Sequence, residues 1–237
     1  MKPDFLQEER GVRYQMEMLD IRNEDGSLTG EKKERTLVHR DGDLHGTAHV
    51  WLVRYRSDKR VAEVLLQKRS ACKDSFPGCY DISSAGHIPA GEDFLPSAVR
   101  ELREELGVTA KPEELHELFT HRGHAEETFY GKPFINNEYS KVYLMEYTGN
   151  GSFQLQAEEV ESVRWMDYRA CLDGIRNATL KNCIFEDEFE KVARGIEAYF
   201  AETGRPLAGA DRRETWAEDA QNDLQDWIEE QGIYIRQ

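Results

Sequence analysis

The chain has 237 residues, with 31 Lys and Arg against 46 Asp and Glu for a formal charge of -15, a length that predicts one core domain with an elaboration rather than two full domains. That sign of charge argues against a nucleic acid polymer as partner, because a phosphate backbone would be repelled. At 39% hydrophobic and 10% aromatic residues the chain can bury a core, while its longest apolar stretches, such as Trp51-Leu52-Val53, fall far short of the roughly 20 residues needed to cross a bilayer.

The opening MKPDFLQEER has no apolar segment behind a basic head, so no secretory signal is readable and a cytoplasmic location is expected. Cys72, Cys79, Cys171 and Cys183 form no C-x-x-C pair and are too sparse for a disulfide framework. They read as reduced, mainly structural thiols.

Residues 1–13 are polar and read as an arm. From Tyr14 the order alternates through MEMLDI, and Asn23, Asp25 and Gly26 supply turn chemistry before SLTGEKKE, which predicts a hairpin. KERTLVH at 33–39 closes a short helical turn. AHVWLVRY reads as a buried strand and VAEVLLQKR at 61–69 as its partner, with Ser57 and Asp58 in the turn between them.

Phe76-Pro77-Gly78 breaks the chain before a short strand, YDISSAG. Asp93 then caps a helix whose apolar positions Leu95, Ala98, Val99, Leu102 and Leu106 repeat at three and four, with Pro96 tolerated in the first turn and Gly107 as the stop. A strand around ELFTHR, a polar loop from Gly123 to Asn137, and strands KVYLMEY at 141–147 and VESVRWM at 160–166 follow. A mixed sheet flanked by helices packs that order.

After about residue 167 the pattern is helical. One stripe holds Phe185, Phe189, Val192, Ile196 and Phe200, and a second helix holds Trp216, Leu224, Trp227 and Ile228, with Gly204, Pro206 and Gly209 between them. These helices read as a packing or oligomer element.

On the helix begun near Asp93, Glu101, Glu104 and Glu105 project from one face. Their mutual repulsion is dispersed either by water, with Arg100 paired to Glu104 on a solvated helix, or by a hard divalent cation in a cleft. The surrounding residues favour the cation. Gly86, Glu92, Arg100, Glu101, Leu102, Glu104, Glu105, Gly107 and Val108 match the pattern G-x5-E-x7-R-E-U-x-E-E-x-G-U, with U apolar, at every defined position.

By that match the chain resembles the Nudix hydrolase superfamily. The resemblance implies an α+β fold, a Nudix α/β/α sandwich with a mixed sheet, over residues 14–178. Residues 1–13 would be an N-terminal arm and 179–237 a C-terminal helical extension. It also implies that Glu101, Glu104 and Glu105, with the Gly86 carbonyl, bind Mg2+, for which Mn2+ can substitute, while Glu92 and Arg100 orient the carboxylates. Glu101, Glu105 and Arg100 are the candidate catalytic residues. The general base is one of these glutamates or a later one, with Glu126, Glu127 and Glu138 as candidates.

The run MLDIRNEDGSLTGEKKERTLVHRDGDLHGTAHVWL, followed by LLQKRSACKDSFPGCYDISSAGHIPAGE, is similar to the isopentenyl diphosphate isomerases and the bacterial Nudix hydrolases near them. In the isomerases histidines and glutamates hold a metal, and the matching positions include His39, His45, His87 and Glu138, which adds Glu138 to the candidate metal ligands. The His39 to His45 spacing is one residue shorter, and Asn136 stands where the first of two late glutamates is expected.

Arg35, Lys68, Arg69 and Lys73 match phosphate-facing positions, and with His45 and His87 they form the candidate substrate-binding set. The isomerases carry a cysteine just ahead of the Gly-His pair to move a proton, and here that residue is Ala85. They also degrade the E-x-x-E-E set, which is intact here. Both departures favour hydrolysis.

The expected activity is Mg2+-dependent cleavage of a nucleoside diphosphate-linked or other organic diphosphate by water attack on phosphorus. An isomerase acting on isopentenyl diphosphate and a non-catalytic Nudix-fold nucleotide sensor are the rivals. The expected partner is a small-molecule diphosphate, with no membrane, no nucleic acid polymer and a homodimer as the preferred assembly. Trp51, Phe129, Tyr130 and Phe134 are candidates to stack on a base or simply to pack. His49, His116, His121 and His124 receive no role.

Overall fold

A computed structural model of the chain describes residues 17–149 and 151–209, together with the backbone of residues 6–9 and 12–15. Within the polar N-terminal segment, β1 (Leu6–Glu9) pairs antiparallel with β2 (Val12–Gln15). The expected hairpin follows as β3 (Met18–Arg22) and β4 (Leu28–Glu34), and its turn is closed by Asp25, which accepts from the backbone and hydroxyl of Ser27. Helix α1 (Arg35–Asp41) begins where the Glu34 carboxylate accepts from the Leu37 amide and ends at Gly42, whose φ of 75° suits glycine.

The main sheet is built on β5 (His45–Arg56) and β6 (Val61–Arg69), followed by β7 (Tyr80–Asp81), β8 (Ser84–His87), β9 (His116–Phe129), β10 (Lys132–Glu146) and β11 (Val160–Asp167). Its order is β11-β6-β5-β10-β9, with β10 parallel to β5 and the other neighbours antiparallel. YDISSAG is two short strands and not one. β7 pairs with β6 and β8 with β5, and between them the Ser83 hydroxyl donates to Leu65 O at 2.6 Å and accepts from Leu52 N at 2.9 Å. One buried hydroxyl thereby bridges β5 and β6 where they diverge.

The polar loop expected from Gly123 to Asn137 is instead the far half of a hairpin. β9 and β10 stay in register up to Phe129 and Lys132, and Tyr130 and Gly131, both at positive φ, make the two-residue turn. Alternation of apolar and polar residues is weak there because much of the ribbon faces solvent. Its backbone pairing, rather than a buried face, holds it as strand.

The sheet is covered on both faces. Helix α2 (Phe94–Leu106) buries Phe94, Ala98, Leu102 and Leu106 against Ala48, Val50, Leu52, Leu65, Tyr143 and Met145. On the other face, Trp51, Val53, Val64, Leu66, Val142 and Leu144 pack with α3 (Tyr168–Arg176) and α4 (Glu186–Glu202). The alternating positions of β5 thus serve both layers, giving the expected α+β sandwich. Phe189, Val192, Ile196 and Phe200 of α4 are fully buried in this core, so that part of the stripe is covered within the chain, while Phe185 just before the helix is only partly buried. The second helix expected over Trp216, Leu224, Trp227 and Ile228 lies outside the described residues.

Candidate active site

A cleft of about 300 Å³ opens between α2, α1, the β8 turn, β10 and the start of α4. Helix α2 furnishes its acidic wall. Asp93 caps the helix by accepting from Phe94 N, and Gly107, at φ 69°, ends it. With Leu102 and Leu106 turned into the core, Glu101, Glu104 and Glu105 line the cleft.

Gly86 faces this wall so closely that a Cβ there would lie 2.3 Å from Glu101 Cδ. Only glycine leaves room for the carboxylate. Arg100 reaches Glu101 at 2.8 Å, Glu104 at 3.2 Å and Glu92 at 3.9 Å, so it ties three carboxylates of the box together rather than Glu104 alone. Glu105 is 6% exposed and accepts from Ala85 N at 3.3 Å. Burial pushes its carboxyl up to about 8 and that of Glu101 up to about 7, the second against the pull of Arg100. Glu104 is 45% exposed, at the rim.

Opposite this wall, α1, β5 and β8 bring His39, His45 and His87 together, with one ring nitrogen from each within 4.8 Å of the others. His39 Nε2 and His87 Nε2 are 3.1 Å apart. His45 lies with Nδ1 2.9 Å from Asp43 O, and its buried Nε2 has no partner. Burial first, and neighbouring positive groups second, hold His39 at about 3 and His87 well below the ordinary imidazole range; burial lowers His45 as well. Burial therefore favours the neutral ring in all three, the form that ligates metal. Glu138 registers beside His45 on β10 and lines the cleft with Asn136, whereas Glu126 and Glu127 do not line it.

Of the expected cations, Arg35, Arg69 and Lys73 line the cleft, each already beside a carboxylate: Glu17, Asp81 and Glu159 respectively. Lys68 does not line it; its ammonium meets Glu161 of β11 at 2.6 Å. Among the candidate stacking residues Phe134 lines the cleft and stacks on His39 at 4.5 Å. Phe129 packs on Phe76 at its edge, Trp51 is fully buried in the core, and Tyr130 is 74% exposed at the hairpin tip.

Sequence reasoning missed His49. Its imidazole lines the cleft and lies 2.9 Å from Glu188 of α4 and 3.7 Å from Glu138. Against the cost of burial, these carboxylates hold His49 up at about 9, while His49 and His121 keep Glu188 low, at about 2. One signal was present: His45, Thr47 and His49 are polar at alternate positions of an otherwise apolar central strand, hence on one face. Its partner Glu188, 139 positions away, left no such trace.

Residues 45–183 match the NUDIX domain family. Nudix hydrolase 3 of Arabidopsis thaliana is 44% identical over 155 residues, which is 64% of this chain but 19% of that protein, so only a small part of that relative is spanned. An uncharacterised Nudix hydrolase of Clostridium acetobutylicum is 37% identical over 171 residues, covering 67% of this chain and 77% of the relative. Among solved structures, DR0079 of Deinococcus radiodurans superposes with a TM-score of 0.55 at 22% identity, over 75% of this chain and 98% of that one, and so shares the fold. Since the family match covers more than half of the chain and the Clostridium relative is spanned over most of its length, the chain belongs to the NUDIX domain family.

Proposed function

We propose that the protein is a Mg2+-dependent hydrolase that cleaves an organic diphosphate by attack of water on phosphorus, with nucleoside diphosphate-linked compounds as the first substrate class to test. The observation that carries this reading is a buried carboxyl, Glu105, beside a partly buried one, Glu101, with Arg100 as the only cation bonded to Glu101 and none bonded to Glu105 among the described residues. Their repulsion and desolvation call for a cation, and a donor set of carboxylates and the Gly86 carbonyl suits hard Mg2+ or Mn2+. The bound metal would supply charge neutralisation at the diphosphate and a lowered pKa for water.

In this reading Arg100 holds Glu101 and Glu104 in place, Gly86 lets backbone approach the reacting phosphoryl group, and Arg35, Arg69 and Lys73 grip the remaining phosphate oxygens. Glu101, Glu105 and Glu138 are the carboxylates placed to take the proton from water; Glu126 and Glu127 leave the list of bases. Water adds to one phosphorus and the bridging oxygen leaves with the other, giving a monophosphate from each side of a substituted diphosphate, or orthophosphate from a simple one.

The His39, His45 and His87 cluster supports placement near the isomerase-like branch, and the unpartnered His45 Nε2 fits a metal held there with Glu138. Ala85 argues against isomerisation, because a methyl group moves no proton. Isopentenyl diphosphate with Mg2+ is expected to give no dimethylallyl isomer by NMR, and its appearance would overturn the hydrolase reading in favour of the isomerase. The decisive assay is metal-dependent phosphate release across nucleoside, sugar and prenyl diphosphates; no release from any of them would leave the nucleotide sensor as the better reading.

Four free cysteines fit the cytoplasmic reading. The homodimer reading now rests on the stripe from Trp216 to Ile228 alone, since the α4 stripe is covered within the chain. A sedimentation mass of one chain would end it.

A further inference from the structure

Glu188 has no exposed surface, yet three side-chain nitrogens face it. His49 Nδ1 is 2.9 Å and His121 Nδ1 3.1 Å from its Oε2, and Trp51 Nε1 donates to its Oε1 at 3.3 Å. His121 Nε2 in turn meets Asp187 at 2.9 Å. A buried ion pair of this kind is seldom maintained for stability, because a well-packed apolar replacement is often neutral or better. The direction of the cluster suggests what it does instead. His49 leaves its second nitrogen, Nε2, toward the cleft, 3.4 Å from Thr47 Oγ1 and 3.7 Å from Glu138 Oε2. Glu138 is 8% exposed and lines the cleft.

We propose that Glu188 and His49 are positioning residues for Glu138: the α4 carboxylate fixes the His49 ring, and the ring's far nitrogen fixes the Glu138 carboxylate. Helix α4, which begins beyond the 45–183 family match, is then part of the catalytic unit and not an appendage to it. An orienting partner behind a ligand or base contributes by holding its geometry, and loss of one typically costs about 10- to 100-fold in metal affinity or activity. The proposal rests on Glu138 being a functional carboxylate of the proposed site.

Two substitutions of His49 separate this role from simple packing. An asparagine amide can replace Nδ1 and keep the bond to Glu188 while losing reach to Glu138; a glutamine amide can replace Nε2 and do the reverse. In the full chain, His49→Asn is expected to lower kcat and weaken Mn2+ binding, measured by calorimetry without substrate, each by about 10- to 100-fold, with KM changed less than about twofold. His49→Gln, which keeps reach to Glu138 but gives up the bond to Glu188, is expected to recover only part of both. Glu188→Gln should follow His49→Asn, and should add nothing further in a Glu138→Gln background.

If Glu188→Gln fails to fold, the two His49 variants still decide the question. Full Mn2+ affinity and turnover in His49→Asn, or additive losses in the Glu188 and Glu138 double variant, would overturn the proposal. Wild-type protein that binds no Mn2+ overturns it together with the proposed function, whereas Mn2+ binding with the expected pattern but no hydrolysis of any diphosphate overturns the proposed function only.

Discussion

Replacing Glu105 by glutamine should stabilise the metal-free protein at pH 8 while it destroys turnover. Burial holds this carboxyl at about 8 against an ordinary 4.5. An acid whose folded pKa is raised favours the native state below its ordinary pKa, and that advantage disappears as pH climbs toward and through the folded value. Each pKa unit is worth about 1.4 kcal/mol, so at pH 8, where the native carboxyl is half ionised, the wild type has lost about 4 kcal/mol that it holds at pH 4.

Glutamine loses nothing over this range, and its amide oxygen can still accept from Ala85 N. In EDTA at pH 8 the variant should therefore melt about 8 to 16 °C above wild type, and the gap should close toward pH 4.5. Mg2+ should raise the melting temperature of the wild type at pH 8 and leave the variant's nearly unchanged, because the cation offsets the same buried charge. A Glu105→Gln protein less stable than wild type at both pH values, or a wild type in EDTA equally stable at pH 5 and pH 8, would refute the reasoning.

Gly86→Ala places a methyl carbon 2.3 Å from Glu101 Cδ, so Glu101 must move by about 1 Å and kcat should fall by about 100-fold in steady-state assays with near-normal folding. Lys73→Ala should raise KM about tenfold through loss of one charge-assisted contact, whereas Lys68→Ala, whose ammonium is bound to Glu161 away from the cleft, should change neither kinetic constant by more than about twofold. Phe189→Ala should cost about 3 to 5 kcal/mol in urea unfolding, because the ring is fully buried against Trp51 at 4.8 Å. A loss below about 1 kcal/mol would mean that α4 is loosely attached.

The cleft wall on α2 was legible because everything that shapes it is local. The Asp93 cap, the Gly107 stop and the spacing of Glu101, Glu104 and Glu105 all act within four turns of one helix, where 3.6-residue periodicity decides which side chains share a face. The opposite wall was only half legible. His39, His45 and His87 were identified by resemblance, but their convergence depends on α1, β5 and β8 meeting, and Lys68 could not be told from Lys73 until β11 placed Glu161 beside it. The hairpin from Gly123 to Asn137 went unrecognised because its faces are polar and only pairing in register holds it as strand.

The amino-acid order by itself therefore determined the box helix, the strands whose side chains alternate, and the carboxylate chemistry, since those follow from backbone preferences over a few residues. Tertiary structure alone decided which charges are desolvated and which nitrogen faces which oxygen, as with Glu188 brought to His49 across 139 positions. Such pairings carry no local period, because they are set by how layers stack and how far water is excluded between them.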